Sequence, residues 1–226
     1  MTKSYTIGSI LTFIVMMTLN TTAAMAQDPP VLLAGHFSSG SGSLDDWSPK
    51  IFVKETRYNL VDLEGQTALK AVSRQSASGL IKKIRVDLDQ YPYLNWTWRI
   101  EQPLKGDFNE KEKGGDDYAA RIYVVLSGGF AIWNTKALNY VWAKHADTND
   151  VWPNAFAPKN AKMIAVRSGH DPVSTWVTEK RDIQADFKAI FGKEVSAIDA
   201  VVLMTDTDNT RNEAVAHYGD IFFSSE

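Results

Sequence analysis

A chain of 226 residues with 44% hydrophobic, 23% charged and 11% aromatic side chains has enough apolar mass for a packed core, which excludes a disordered or fibrous protein. Its formal net charge of −3 leaves no basic excess to neutralise phosphates and argues against a nucleic-acid partner. With no cysteine, a disulfide scaffold, a thiolate zinc site and a cysteine nucleophile are all removed.

In chain order, the first 26 residues follow the logic of an export signal. Lys3 gives the positive start, residues 7–19 (IGSILTFIVMMTL) are apolar, and Ala24-Met25-Ala26 forms a small-x-small cleavage box. The apolar run falls short of the about 18 residues expected of a spanning helix. The expected product is therefore residues 27–226, periplasmic or secreted by a bacterium, with no transmembrane segment after processing. Without disulfides, its stability must come from the core.

Short strands then follow one another. Residues 31–37 are apolar until SSGSGS (38–43) breaks them, and 57–63, 67–73 and 80–88 are punctuated by Gly65 and Gly79. The clearest signal is 93–100 (YLNWTWRI), where Leu94, Trp96, Trp98 and Ile100 alternate with Tyr93, Asn95, Thr97 and Arg99, a period of two. Residues 119–126 repeat it, with Ile122, Val124 and Leu126 against Arg121, Tyr123 and Val125. Further strands are predicted at 138–143, 162–168, 175–181, 198–204 and 214–223. Only 182–191 reads as a helix, with Asp182 as N-cap, Ile183, Phe187 and Ile190 on one face, and Gly192 as the stop. Strands at this spacing predict an all-β, antiparallel sandwich of jelly-roll type in one domain, 27–226, with long loops at 103–117 and 143–162. Long loops on a β scaffold are where binding residues tend to lie.

Catalytic templates fail. The four histidines are far apart in sequence, and neither a Gly-x-Ser-x-Gly elbow nor a phosphate-cradling Gly-x-x-x-x-Gly-Lys run occurs, so no catalytic residue is assigned. Two acidic clusters stand out. Asp206-Thr207-Asp208-Asn209 follows an apolar strand, where oxygens can bind calcium or sugar hydroxyls, or simply cap their own turn. Asp116-Asp117 precedes Arg121, where carboxylates can act as acid and base or merely pair locally. If the two best strands pair, Asn95, Thr97, Arg99, Arg121 and Tyr123 form one polar ladder suited to a carboxylate-bearing or hydroxyl-rich ligand; the alternative is a covered face with the arginines paired to Glu179 or Asp186. Of seven tryptophans, Trp96 and Trp98 belong to the core, whereas Trp133, Trp142 and Trp152 fall near loops and suit ligand contact.

The motifs LNWTWRI, GDDYAARIYVVL, ALNYVWA, VRSG, the WVTEKRDIQADF run, MTDTDNT and YGDIFF, in that order, resemble the bacterial exported family called domain of unknown function thirty forty-seven. More loosely, the ends of the chain resemble galactose-binding-like jelly rolls and carbohydrate-binding modules, through Phe37, Asp46 and Trp47 and then Tyr218-Gly219-Asp220-Ile221. That second resemblance implies a structural calcium (Ca2+) with Asp46 and Asp220 as its ligands. Together these features favour a non-catalytic protein that binds a glycan or small polar ligand through Arg99, Asp117, Arg121, Tyr123, Trp142, Glu179, Asp206 and Asp208. The alternatives are a carbohydrate hydrolase or lyase using Asp117, Glu179, Asp206 or Asp208 as acid and base, and an envelope component docking another protein.

Overall fold

The computed structural model describes Met1 and residues 30–39, 42–131 and 134–226. The rest of the expected export segment and Trp133 lie outside the described residues.

Two sheets face each other. The first has β1 (Val31–Gly35), β3 (Arg57–Leu63), β4 (Gln66–Arg74), β6 (Tyr93–Gln102), β11 (Val177–Asp182) and β13 (Glu213–Ser224). Their order is β11-β6-β13-β4-β3, with β1 pairing the C-terminal part of β13. The second contains β2 (Trp47–Val53), β5 (Ala77–Asp87), β7 (Arg121–Leu126), β8 (Lys136–Trp142), β9 (Val151–Pro153), β10 (Ala161–Arg167) and β12 (Ala197–Asp206), in the order β2-β5-β12-β7-β8-β10-β9. All pairings are antiparallel except β8 with β10, because the chain crosses over between them and returns in the same direction.

Alternation decides which faces meet. Leu94, Trp96, Trp98 and Ile100 of β6 pack against Ile122 and Val124 of β7, Leu138 and Tyr140 of β8, and Val201 and Leu203 of β12. Trp96 stands edge-on to Trp98 with ring centres 5.4 Å apart, and it lies 5.4 Å from Tyr140 across the sandwich. The antiparallel, strand-dominated architecture expected from the period-two pattern is the one observed. Residues 182–191 behave as expected too. The Asp182 side chain accepts from Ala185 N at 2.9 Å, α1 (Ile183–Phe191) buries Ile183 and Phe187, and Gly192 closes it at φ 63°. Among the described residues no helix is long and apolar enough to cross a membrane.

Three features depart from the sequence reading. β2 was not expected: Pro49 breaks the pattern, and after Trp47 every residue of this edge strand is exposed, so no alternation marks it. β9 is only three residues long. Most important, β6 pairs with β11 and β13, while β7 pairs with β12 and β8. The ladder joining Arg99 to Arg121 therefore does not form; the two side chains leave the sandwich on opposite outward faces, because each strand turns its apolar side towards the other sheet.

Candidate functional site

A cavity of about 460 Å³ lies over the outward face of the seven-stranded sheet. Its floor is the reverse side of the strands that build the core: Met204 and Asp206 from β12, Arg121 and Tyr123 from β7, Ala137 and Asn139 from β8. Asp116, Asn154 and Asp208 come from the flanking loops, and Phe52 and Phe156, 63% and 58% exposed, stand at its rim.

Arg121 is its electrostatic centre. Register places Met204 opposite Arg121, so Asp206 falls just beyond, at the end of β12. The Arg121 Nη2 donates to Asp206 Oδ2, and the guanidinium lies 5.3 Å from the ring centres of both Tyr118 and Tyr123. Both members of the ion pair are buried, and the Arg121 Nε has no hydrogen-bond partner. Burial works against the charge on Arg121, but Asp206 and the neighbouring Tyr123 and Asp116 outweigh it and hold the guanidinium protonated.

The carboxylates around this cation outnumber it. Burial pushes the Asp206 carboxyl well above the ordinary range; Arg121 opposes this, and Asp117 and Asp116 reinforce it. Burial also raises Asp116, against the pull of Arg121, and raises Asp208, with Asp117 adding to the effect. The loop leading into β7 holds Asp116 in place: a Cβ on Gly115 would meet the Asn109 carbonyl at 2.3 Å, so only glycine lets the chain lie this close. Asp116 is 3% exposed, accepts from Asn154 Nδ2 at 3.3 Å through Oδ2, and leaves Oδ1 without a hydrogen-bond partner.

The predicted site residues divide. Asp117, Arg121, Tyr123, Asp206 and Asp208 do gather here, and ligand oxygens of Asp117, Asp206 and Asp208 lie within 4.8 Å of one another. This trio is the described group that could hold a metal, yet Asp117 and Asp206 already have donors. Asp117 accepts from the Asn209 and Thr210 amides, the Thr210 hydroxyl and Asn209 Nδ2, capping the turn after β12. Asp206 accepts from the Tyr118 amide and from Arg121, so a guanidinium supplies the positive charge.

The other predicted residues lie elsewhere. Arg99 is on the first sheet, donating to Glu64 at 2.9 Å and Glu101 at 3.0 Å. Glu179 accepts from Trp98 Nε1 and Arg167, pinning one sheet to the other. Neither arginine is paired to Glu179 or Asp186, the latter being taken by Arg181. Trp142 sits in the core 5.8 Å from Trp98 with its Nε1 on the Ser168 carbonyl, and its edge lines a separate cavity of about 260 Å³. Trp152 is buried beneath the β8–β10 crossover. Asp46 pairs with Lys82, whereas Asp220 accepts from the Phe37 and Ser38 amides, the Ser38 hydroxyl and His36.

Residues absent from the sequence reading are Phe52, Asn139, Asn154 and Phe156. Asn139 carried a readable signal, a polar residue within the otherwise apolar run of β8. The two phenylalanines carried none.

The family model described as "Protein of unknown function (DUF3047)" matches residues 45–222. The chain belongs to the DUF3047 family. All the cavity-lining residues of this DUF3047 chain fall within the matched span. No curated protein matches the sequence. Among solved structures it is similar to a variant of a family 29 carbohydrate-binding module complexed with mannohexaose, at 10% identity and TM-score 0.40, covering 88% of this chain and 94% of that one. It is also similar to the family 30 carbohydrate-binding module of a cellulosomal cellulase of Clostridium thermocellum, at 12% identity and TM-score 0.41, covering 86% and 93%. A third neighbour is the glycoside hydrolase domain of Endo-D from Streptococcus pneumoniae, at 10% identity and TM-score 0.38; there the match covers 80% of this chain but only 22% of the other. None of these likenesses bears on what the DUF3047 chain binds.

Proposed function

We propose that this protein is an exported β-sandwich that binds a glycan in the cavity over its seven-stranded sheet, without turning it over. The observation that carries the reading is the composition of that one cavity. Donors and acceptors on fixed strands (Arg121, Asn139, Asp206) lie in the same recess as the phenyl rings of Phe52 and Phe156. A sugar presents hydroxyls at its edge and a C–H face above its ring, and recognition of both needs such a mixture. A volume of about 460 Å³ falls within the size range of small-molecule sites. Export is supported by the N-terminal apolar run and cleavage box alone.

The experiment is calorimetric titration with a panel of oligosaccharides, comparing the native chain with Phe156→Ala and Asn139→Ala. Phe156 is exposed, so its loss should leave the melting temperature in place while weakening binding by roughly three- to tenfold. Binding unaffected by either change would move the site off this cavity.

A hydrolytic or lyase reading has one observation in its favour, the raised carboxyls of Asp116, Asp206 and Asp208 in a recess. Release of shortened or unsaturated sugars from a bound oligosaccharide would replace the binding-only reading.

A further inference from the structure

The charges lining the cavity do not balance, and this bears on which glycan it takes. Arg121 is the one cation among its described lining residues, and its Nη2 is committed to Asp206. Asp116 and Asp208 are left without a cation of their own on the lining, and Asp117 stands behind Asp208 with a carboxylate oxygen within 4.8 Å of it. Asp208 receives a contact from Asn209 Nδ2 at 3.3 Å. Asp116 is the more telling, since it is 3% exposed and its Oδ1 has no hydrogen-bond partner, the neighbouring Tyr118 hydroxyl donating to the Glu110 carbonyl. A buried acceptor without a donor is costly, and a ligand donor removes that cost on arrival. Neutral hydroxyls would supply the hydrogen bond but bring no positive charge to these carboxyl groups.

The rim carries cations of the chain's own. Lys50 and Lys113 already hold their ammonium groups over the rings of Phe52 and Phe156, at 5.7 and 5.6 Å.

We infer that the cavity selects a glycan bearing a free amino group, an N-unsubstituted amino sugar whose ammonium donates to Asp116 Oδ1. This rests on the glycan reading above and narrows it. The ring carbons lie against the aromatic rim while the ammonium compensates the carboxylates that Arg121 leaves unpaired. Burial raises the Asp116 and Asp206 carboxyls, and an ammonium placed beside them acts in the opposite direction, as Arg121 already does. The charged and titratable groups around Asp116 are Asp117, Tyr118, Arg121, Tyr123 and Asp206.

Calorimetry on the full chain at pH 7 with glucosamine tetraose, N-acetylglucosamine tetraose, cellotetraose and spermidine tests this. The amino tetraose is expected to bind at least about tenfold tighter than either neutral sugar, the worth of one charge-assisted hydrogen bond. Asp116→Asn should reduce the preference to about twofold or less, with Asp208→Asn as the second variant if the first does not fold. Neutral sugars binding as tightly as the amino form would overturn the amino selectivity and leave the glycan reading standing. Spermidine binding as tightly as the amino tetraose would overturn the glycan reading and keep only the ammonium. Failure of the amino tetraose to bind overturns the inference.

Discussion

Arg99 and Arg121 project from the outward faces of the two sheets, and their surroundings are balanced in opposite ways. Arg99 faces two carboxylates, Glu64 and Glu101, whose side chains are 65% and 41% exposed, so both partners keep much of their water. Their hydrogen bonds and charges raise the Arg99 pKa, and no unmet demand is left on either side. Arg121 and Asp206 are 7% and 2% exposed, with Asp116, Asp117 and Asp208 nearby. A guanidinium whose partners reach water is a surface fixture. One closed in with more carboxylates than it can neutralise marks a place where chemistry is unfinished.

The contrast can be broken by removing the cation. Arg121→Met should cost about 3–5 kcal/mol at pH 7, because it leaves Asp206 buried and uncompensated. Part of the loss should return on acidification. With folded-state values raised above their unfolded ones, Asp206 and Asp116 bind protons more readily in the folded chain, so stability gains as pH falls through that interval. Denaturant midpoints at pH 7 and pH 5 measure it, and a cost near zero at pH 7 would mean that Asp206 is already neutral beside Arg121.

Asp220 sharpens the comparison from the side of the acid, since its carboxylate is surrounded by donors instead of other carboxylates. Burial alone would raise it, but the Ser38 hydroxyl, the Ser38 and Phe37 amides and His36 outweigh burial and hold it below the ordinary range. Asp220→Ala should cost about 1.5–3 kcal/mol, the worth of hydrogen bonds to a charged group. The sign with pH is reversed here. The native contribution of Asp220 is in place above its unfolded value and is lost as pH falls through its lowered folded value. The acid limb of a melting profile should therefore flatten in the variant. The smallest effect belongs to the first sheet: Glu64→Gln should change stability by less than about 1 kcal/mol, as exposed pairs do. A larger loss would make Arg99 as structurally demanding as Arg121.

Much of the fold was legible because alternation is a local property. The run from Leu94 to Ile100 places its tryptophans on one side whatever the neighbouring strands are, and two such faces can only be buried against each other. The Asp182 cap and the Gly192 stop are equally local. Half of the site could be seen for the same reason. Arg121 and Tyr123 had to point away from the core, and Asp206 and Asp208 had to sit at a strand exit. Asn139 could have been found by the same rule, as a polar residue within an apolar strand. Phe52 and Phe156 could not, since β2 is exposed along both faces after Trp47 and Phe156 lies in a loop.

By itself, then, the sequence determined the strand periodicity, the inward and outward faces, the helix caps and the apolar N-terminal run, all of which depend on residues a few positions apart. Tertiary structure decided the rest. Strand pairing sent Arg99 and Arg121 to opposite faces, and the register of β7 with β12 set Asp206 against Arg121. The loop before β7 then closed Asp116 into a recess with no donor for one of its oxygens. Those outcomes hang on contacts between residues far apart in the chain, and the protonation of a carboxyl depends on the water and charges that such contacts leave around it.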